Sequence, residues 1–293
     1  MELPRRFIQP GACTVLLSIG FSSLTAVAGP LPEPCRIDTP RAGVVAGLNP
    51  DGSLKVFDDR QAGRTVNVRL ADVAVPVREQ DASLDQVVRR WMGKSVLLHP
   101  ISNRTDRWQR LVAHVELTAR STNSGQAPNG TASVPHMVNR QMPAWLQAEL
   151  IATGAASVMP EGSATGCAAA LYRDENTARR AGRGLWRKPG HRILSARDPK
   201  LAERAGAYRI VAGIVVSVGA TSRRYYLNFG RDWSRDFTVT IPADKADVFR
   251  AAGRDPEALV GRYIRVRGWL ERWNGAVIDV RFPDAIEVIG RGG

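Results

Sequence analysis

Histidine and cysteine are scarce in this chain, four and three respectively among 293 residues. The histidines are scattered. His114 alternates with strand-like residues and His191 sits in a charged stretch, and neither has a cysteine or carboxylate at ligand spacing in sequence, so no zinc motif is legible. There is no glycine-rich phosphate loop, no nucleophile elbow and no long internal repeat. Beyond the first thirty residues no apolar run is long enough to cross a membrane. Acidic residues are also short, 28 against 41 basic ones, which leaves a formal charge of +13. An excess of that size points to a polyanionic partner, nucleic acid or an anionic surface, although a generally arginine-rich proteome would produce the same number.

What is present is ordinary globular material, 44% hydrophobic and 24% charged, in a length that suits two domains. Residues 1–28 have the form of a signal peptide: Arg5 and Arg6, an apolar stretch from Ala12 to Val27, and Ala26-Val27-Ala28 as a small-x-small cleavage site. Its removal takes two basic residues and one acidic one, so the mature charge is +12. The expectation is a periplasmic or secreted protein with no stable membrane insertion after cleavage. Cys13 leaves with the leader, and in an oxidising compartment Cys35 and Cys167 are natural partners for a disulfide, the competing reading being two unrelated thiols. Such a bridge closes a loop of more than a hundred residues, for which chain entropy gives ~4–5 kcal/mol before strain.

Along the mature chain, a proline-rich lead-in (29–40) gives way to strand-like segments at 43–48, 53–57 and 66–70, joined by turns at 49–52 and about 60–63. Helical spacing over 80–92 puts Leu84, Val87, Val88 and Trp91 on one stripe. Strands follow near 96–98 and 111–117, then a Ser/Asn/Gly/Pro-rich surface loop at about 120–139, and helices near 144–153 and 167–182. Residues 195–206 form a charged connector. Beyond it come strands at 209–218, 224–229, 235–241, 262–271 and 276–280, with one helix at 244–251 between the third and fourth, which is the order of an OB barrel. The expected architecture is α+β, mainly β with helices: a domain over 29–194 and an OB-like domain over 207–290.

Four segments of the first domain carry a resemblance to the thermonuclease (staphylococcal nuclease) family: Val68-Arg69-Leu70 leading to Pro76, Arg104 to Leu111, Trp145 to Leu150 followed by Gly154, and Ala178 to Trp186. The resemblance spans about 41–187 and implies a nuclease-like OB barrel. It further implies that Arg69 and Arg110 grip a phosphate. The acidic half of the family pattern is missing. Where the family has Asp-x-Pro-Glu, this chain has Ala74-Val75-Pro76-Val77, so a metal-binding aspartate and the general base are gone; Ser53 stands at the other metal aspartate, and Trp108-Gln109 replaces the tyrosine-glycine pair before Arg110. Without carboxylates a hard divalent cation has little to bind, and loss of the base forfeits about 10²–10⁴-fold. No metal site or cofactor is therefore expected, and calcium enters only if hydrolysis survives. Glu79 and Asp72 are the nearby carboxylates, Glu79 being the candidate substitute base.

In the second domain, period-two alternation puts Ile264, Val266, Gly268 and Leu270 on a core face and Tyr263, Arg265, Arg267 and Trp269 on the other, a stripe suited to single-stranded nucleic acid that Arg224, Tyr226 and Asn228 extend. The same aromatics and arginines also suit docking against the first domain or another chain. The balance over 208–293, 14 basic against 10 acidic, is modest. Three functions are consistent with these residues: an exported binder of nucleic acid or another phosphodiester, a weak nuclease with a rearranged site, and an envelope scaffold that recognises a protein partner.

Overall fold

The computed structural model describes residues 29–59, 64–76, 82–103, 105–118, 143–232 and 234–291. The leader, the turn near 60–63, Glu79 and the loop at 120–139 lie outside the described residues. Two β-barrels follow one another along the chain, each with the same order of elements.

The first comprises β1 (Arg41–Leu48), β2 (Leu54–Asp58), β3 (Thr65–Leu70), α1 (Ala82–Trp91), β4 (Ser95–Pro100) and β5 (Leu111–Leu117). The strands run β1-β2-β3-β5-β4 and return to β1, antiparallel throughout except for the closing pair β3–β5, which is parallel. This five-stranded ring with a helix between its third and fourth strands is OB-like. Alternation drives it: Leu54 and Val56 of β2 and Val68 and Leu70 of β3 are buried. The apolar stripe of α1 does the same, burying Val87, Val88 and Trp91.

Two further helices, α2 (Leu146–Thr153) and α3 (Tyr172–Arg180), pack on the barrel. The segment expected as one helix over 167–182 is split, with a 3-10 turn at Ala168–Leu171 preceding α3. Gln147 is fully buried and bridges α2 to the barrel, accepting from Val115 N–H and donating to the Ala113 carbonyl. Glu149 accepts from the Trp91 indole and from Arg90, tying α2 to α1. Gly154 ends α2 at φ 75° and meets Gly184, at φ 47°, so closely that a Cβ on either would lie 2.4 Å or less from a carbonyl oxygen of the opposing backbone. The Cys35–Cys167 disulfide is formed, fastening the lead-in to the start of the 3-10 turn within the first core.

The second barrel consists of β6 (Ala207–Ile214), β7 (Ser217–Ala220), β8 (Arg224–Asn228), β9 (Thr238–Pro242), α4 (Ala246–Ala251), β10 (Arg262–Trp273), β11 (Gly275–Asp279) and the flanking β12 (Ile286–Arg291). The pairs β7–β8, β8–β9, β9–β11, β11–β10 and β10–β6 complete the circuit, again with the third-to-fifth pair parallel. Strands β6 and β7 are halves of one bent strand: Val215 N–H donates to Arg262 and Val216 N–H to Asn228, so the chain passes from one neighbour to the other within two residues. The charged stretch 195–206 packs on this barrel, with Ala196 and Leu201 in its core.

The two barrels share a polar contact at β10. Ile264, Val266 and Leu270 fill the core as alternation requires, but Arg267, on the opposite face, is 2% exposed and not in solvent. Its guanidinium bonds both oxygens of Glu175 on α3, at 2.9 and 3.1 Å, donates to the Val158 carbonyl and lies 4.4 Å above the Tyr172 ring. Arg265 pairs with Glu287 and Asn176. Alternation fixes which side a residue takes but not what covers that side. The nucleic-acid stripe read at 263–269 is thereby corrected. Its arginines form the junction between barrels, and Tyr263 and Trp269 alone remain exposed.

Candidate functional site

Arg69 leaves the polar face of β3, and Arg110 enters β5 from the turn that precedes it. The parallel register sets Arg69 opposite Val112 and Val68 opposite Leu111, which brings both guanidiniums to one end of the barrel. They converge on Asp106: its Oδ2 lies 2.7 Å from Arg110 Nη2 and 3.5 Å from Arg69 Nε. The other oxygen, Oδ1, accepts the backbone N–H groups of Trp108 and Arg110, so the carboxylate holds the turn as well as the charges. That turn closes with Gln109 at φ 60°, a conformation natural to glycine. Trp108 projects into solvent, 59% exposed, with the Arg107 and Arg110 guanidiniums 3.9 and 4.8 Å from its ring centre.

Each arginine has a second carboxylate. Arg110 Nη1 reaches Asp51 Oδ2 at 3.0 Å, and Arg69 Nη2 reaches Glu161 Oε2 at 2.6 Å. Above the pair opens a cleft of about 240 Å³ lined by Asp51, Arg69, Arg110, Ala74, Val75 and Met159. Partial burial would raise the Asp51 and Asp106 carboxyls, but hydrogen bonds from Ser53 to the one and from Arg110 and its turn to the other outweigh it, and both titrate below the ordinary carboxylate range. The Arg110 guanidinium is stabilised reciprocally. Glu161 behaves oppositely. Burial dominates, and despite Arg69 its carboxyl is pushed up.

The positions where the resemblance expects acidic side chains hold other residues. Ser53 is buried and its hydroxyl turns back to Asp51 at 2.6 Å, while Asn49 donates to it. Ala74 contributes only a methyl to the cleft wall, within a two-residue strand paired to Ser157–Val158. Asp72, the other nearby carboxylate, does not face the arginines. It is fully buried at φ 57°, bonded to Ser163 and 3.3 Å from His114 Nε2, and exchanges two 3.0 Å bonds with Glu161, N–H to Oε1 one way and Oδ1 from N–H the other. Asp72 is thus the anchor that aims Glu161 at Arg69. Nothing local in the sequence pointed to Glu161, 92 residues beyond Arg69 in the numbering; a carboxylate set between Pro160 and Gly162 was the one available cue.

On the second barrel, Tyr226, Asn228, Thr238, Thr240, Trp273 and Asn274 line an open groove of about 390 Å³. Trp273 is 59% exposed there, and Arg224 bonds to Asp279 and to Thr240, a residue of the groove wall. The aromatic side chains of this groove therefore come from β8 and the end of β10 at the β10–β11 hairpin. Among the described residues, the one cluster of three cysteine, histidine or acidic donors close enough to share a metal is Cys35, His114 and Cys167, none of which lines the arginine cleft. No helix among the described residues is long and apolar enough to cross a membrane.

No family model matches the chain, and no curated protein matches it. The topology stands on its own: both barrels are OB-like.

Proposed function

We propose that this is an exported, thermonuclease-like protein whose first-barrel cleft binds a phosphodiester of single-stranded nucleic acid without efficient calcium-dependent hydrolysis. The observation that carries this reading is that Arg69 and Arg110, which converge on Asp106, both line one open cleft. Two guanidinium forks side by side match the oxygens of one phosphate. Gln109, in a backbone conformation suited to the glycine of the resembled motif, supports the alignment that names Arg110. Of the carboxylates on the arginines, Asp51 is the one a phosphate would displace: its side chain is 52% exposed, and an exposed ion pair contributes only ~0–1 kcal/mol. Trp108, beside Arg110, offers a face for a base. With Ser53 and Ala74 at the metal positions, Asp51 is left as the cleft's carboxylate not buried against a guanidinium, too little for a hard cation.

The test is titration of the mature protein with a single-stranded oligonucleotide at two salt concentrations. Binding weakens steeply with salt, and Arg110→Ala or Arg69→Ala each costs about 10–100-fold, the scale of a charged hydrogen bond. Absence of binding at low salt overturns the reading.

A second reading, slow hydrolysis, is favoured by Glu161, a carboxylate 2.6 Å from the Arg69 guanidinium whose burial pushes its carboxyl up, the direction that makes it more basic. Denatured DNA incubated with calcium decides it. Turnover that falls in both Glu161→Gln and Arg110→Ala supports chemistry here, and turnover unchanged in both removes it.

A further inference from the structure

We propose that, when the Cys35–Cys167 disulfide is reduced, Cys35, Cys167, His114 and Asp72 together hold one zinc ion. The donors are far apart in sequence and no motif joins them. The fold does so by laying the lead-in across β5 and starting the 3-10 turn against it. One donor atom each from Cys35, His114 and Cys167 lies within 4.8 Å of the others, and all three residues are buried. His114 Nε2 is 3.2 Å from Cys167 Sγ and 3.3 Å from Asp72 Oδ2. Zinc bonds of about 2.3 Å to sulfur and 2.0 Å to nitrogen in a tetrahedron place such donors roughly 3.5 Å apart. Opening the sulfur pair and drawing the Asp72 carboxylate, which touches His114 but is not part of the 4.8 Å cluster, towards the sulfurs are therefore the adjustments required.

Two further features fit a ligand set. The polar contacts of the buried His114 imidazole are made through Nε2, the nitrogen that faces sulfur and carboxylate, while its Nδ1 lacks the second-nitrogen partner that usually orients a ligating histidine. Asp72 is oriented by others, Ser163 on Oδ2 and the Glu161 N–H on Oδ1, as outer groups orient metal-ligating carboxylates. Two sulfurs, an imidazole and one oxygen select zinc over magnesium or calcium, which require oxygen. The chemistry balances. A dithiol reductant delivers two electrons and two protons to the disulfide and leaves as its own disulfide; the incoming ion displaces both protons, and the two thiolates bind it.

The experiment uses the full chain with Cys13→Ser, reduced by a dithiol, desalted anaerobically and titrated with cobalt(II) as the spectroscopic stand-in for zinc. The expected result is one ion per chain with thiolate-to-cobalt absorption and tetrahedral visible bands, displaced by zinc and absent from the oxidised protein. His114→Ala weakens binding by at least about tenfold, and Asp72→Asn alters the visible bands. If reduction unfolds the chain, metal restores its far-ultraviolet circular dichroism. No thiolate-to-cobalt absorption in the reduced protein, a failure of metal to refold an unfolded reduced chain, or an identical spectrum and affinity in His114→Ala overturns the proposal. An unchanged spectrum in Asp72→Asn overturns the assignment of the fourth ligand.

Discussion

Asp106 and Glu161 sit on neighbouring guanidiniums and obey opposite pH dependences. Asp106 has a folded pKa below its unfolded value of about 3.9. Its ionised form is thus favoured by folding, and its contribution is complete above that unfolded value and disappears as pH falls through the folded one. Asn at this position keeps an oxygen for the turn but loses the charge and puts an amide NH2 where Oδ2 accepts from Arg110. Asp106→Asn is therefore expected to lose roughly 1–3 kcal/mol in urea unfolding at pH 7, and the difference from the parent shrinks as pH falls below the unfolded value and through the lowered folded one. Glu161 has a folded pKa above its unfolded value of about 4.3. Stability from its protonated form is present below that unfolded value and is lost as pH rises through the folded one. Glu161→Gln should accordingly compare best with the parent at neutral pH and worst in acid. Parallel pH profiles for the two variants would contradict this assignment of roles.

The elements themselves were legible wherever a periodic apolar pattern met a packed surface. β5 appears over the same residues, 111–117, that its pattern marks, and α1 buries the stripe Val87, Val88 and Trp91 that helical spacing picks out. The order of strands and helix in the second barrel was likewise readable, because OB topology is encoded in which gap between strands holds a helix. What was not readable came from partners remote in sequence. The helix expected from 167 begins as a 3-10 turn because its opening residues are fixed by the disulfide and by Asp284, which accepts the Gly166 and Ala169 N–H groups. Glu161 is not legible in the sequence because its contact with Arg69 depends on Asp72 turning inward at positive φ, which spacing does not reveal. The polar face of β10 was assigned correctly as a face, but its environment depended on α3. The cysteine pair was legible from compartment chemistry, and the motif picks out Arg69 and Arg110, which the fold brings together on Asp106.

At the scale of the whole molecule, the junction between barrels determines whether they melt together. Arg267 and Glu175 are both nearly excluded from solvent, with side-chain exposures of 1% and 3%. Burial alone would lower the Arg267 pKa, but Glu175 and its neighbours reverse this and hold the guanidinium firmly charged. A buried pair of this kind is weak evidence of net stabilisation, because the desolvation of both charges offsets much of their attraction. Removing one partner is different, since it strands the other charge without water. Arg267→Met should cost about 3–5 kcal/mol and separate the barrels' unfolding into two calorimetric transitions. Adding Glu175→Gln should recover most of that loss, because a neutral amide needs no counter-charge while its oxygen still accepts the Val158 N–H that Glu175 takes at 2.7 Å. Differential scanning calorimetry of the parent, the single variant and the double variant measures all three states. If Arg267→Met melts in one transition within about 1 kcal/mol of the parent, the ion pair does not couple the barrels, and the packing of Ile210 against Ala178, Leu185 and Trp186 must join them instead.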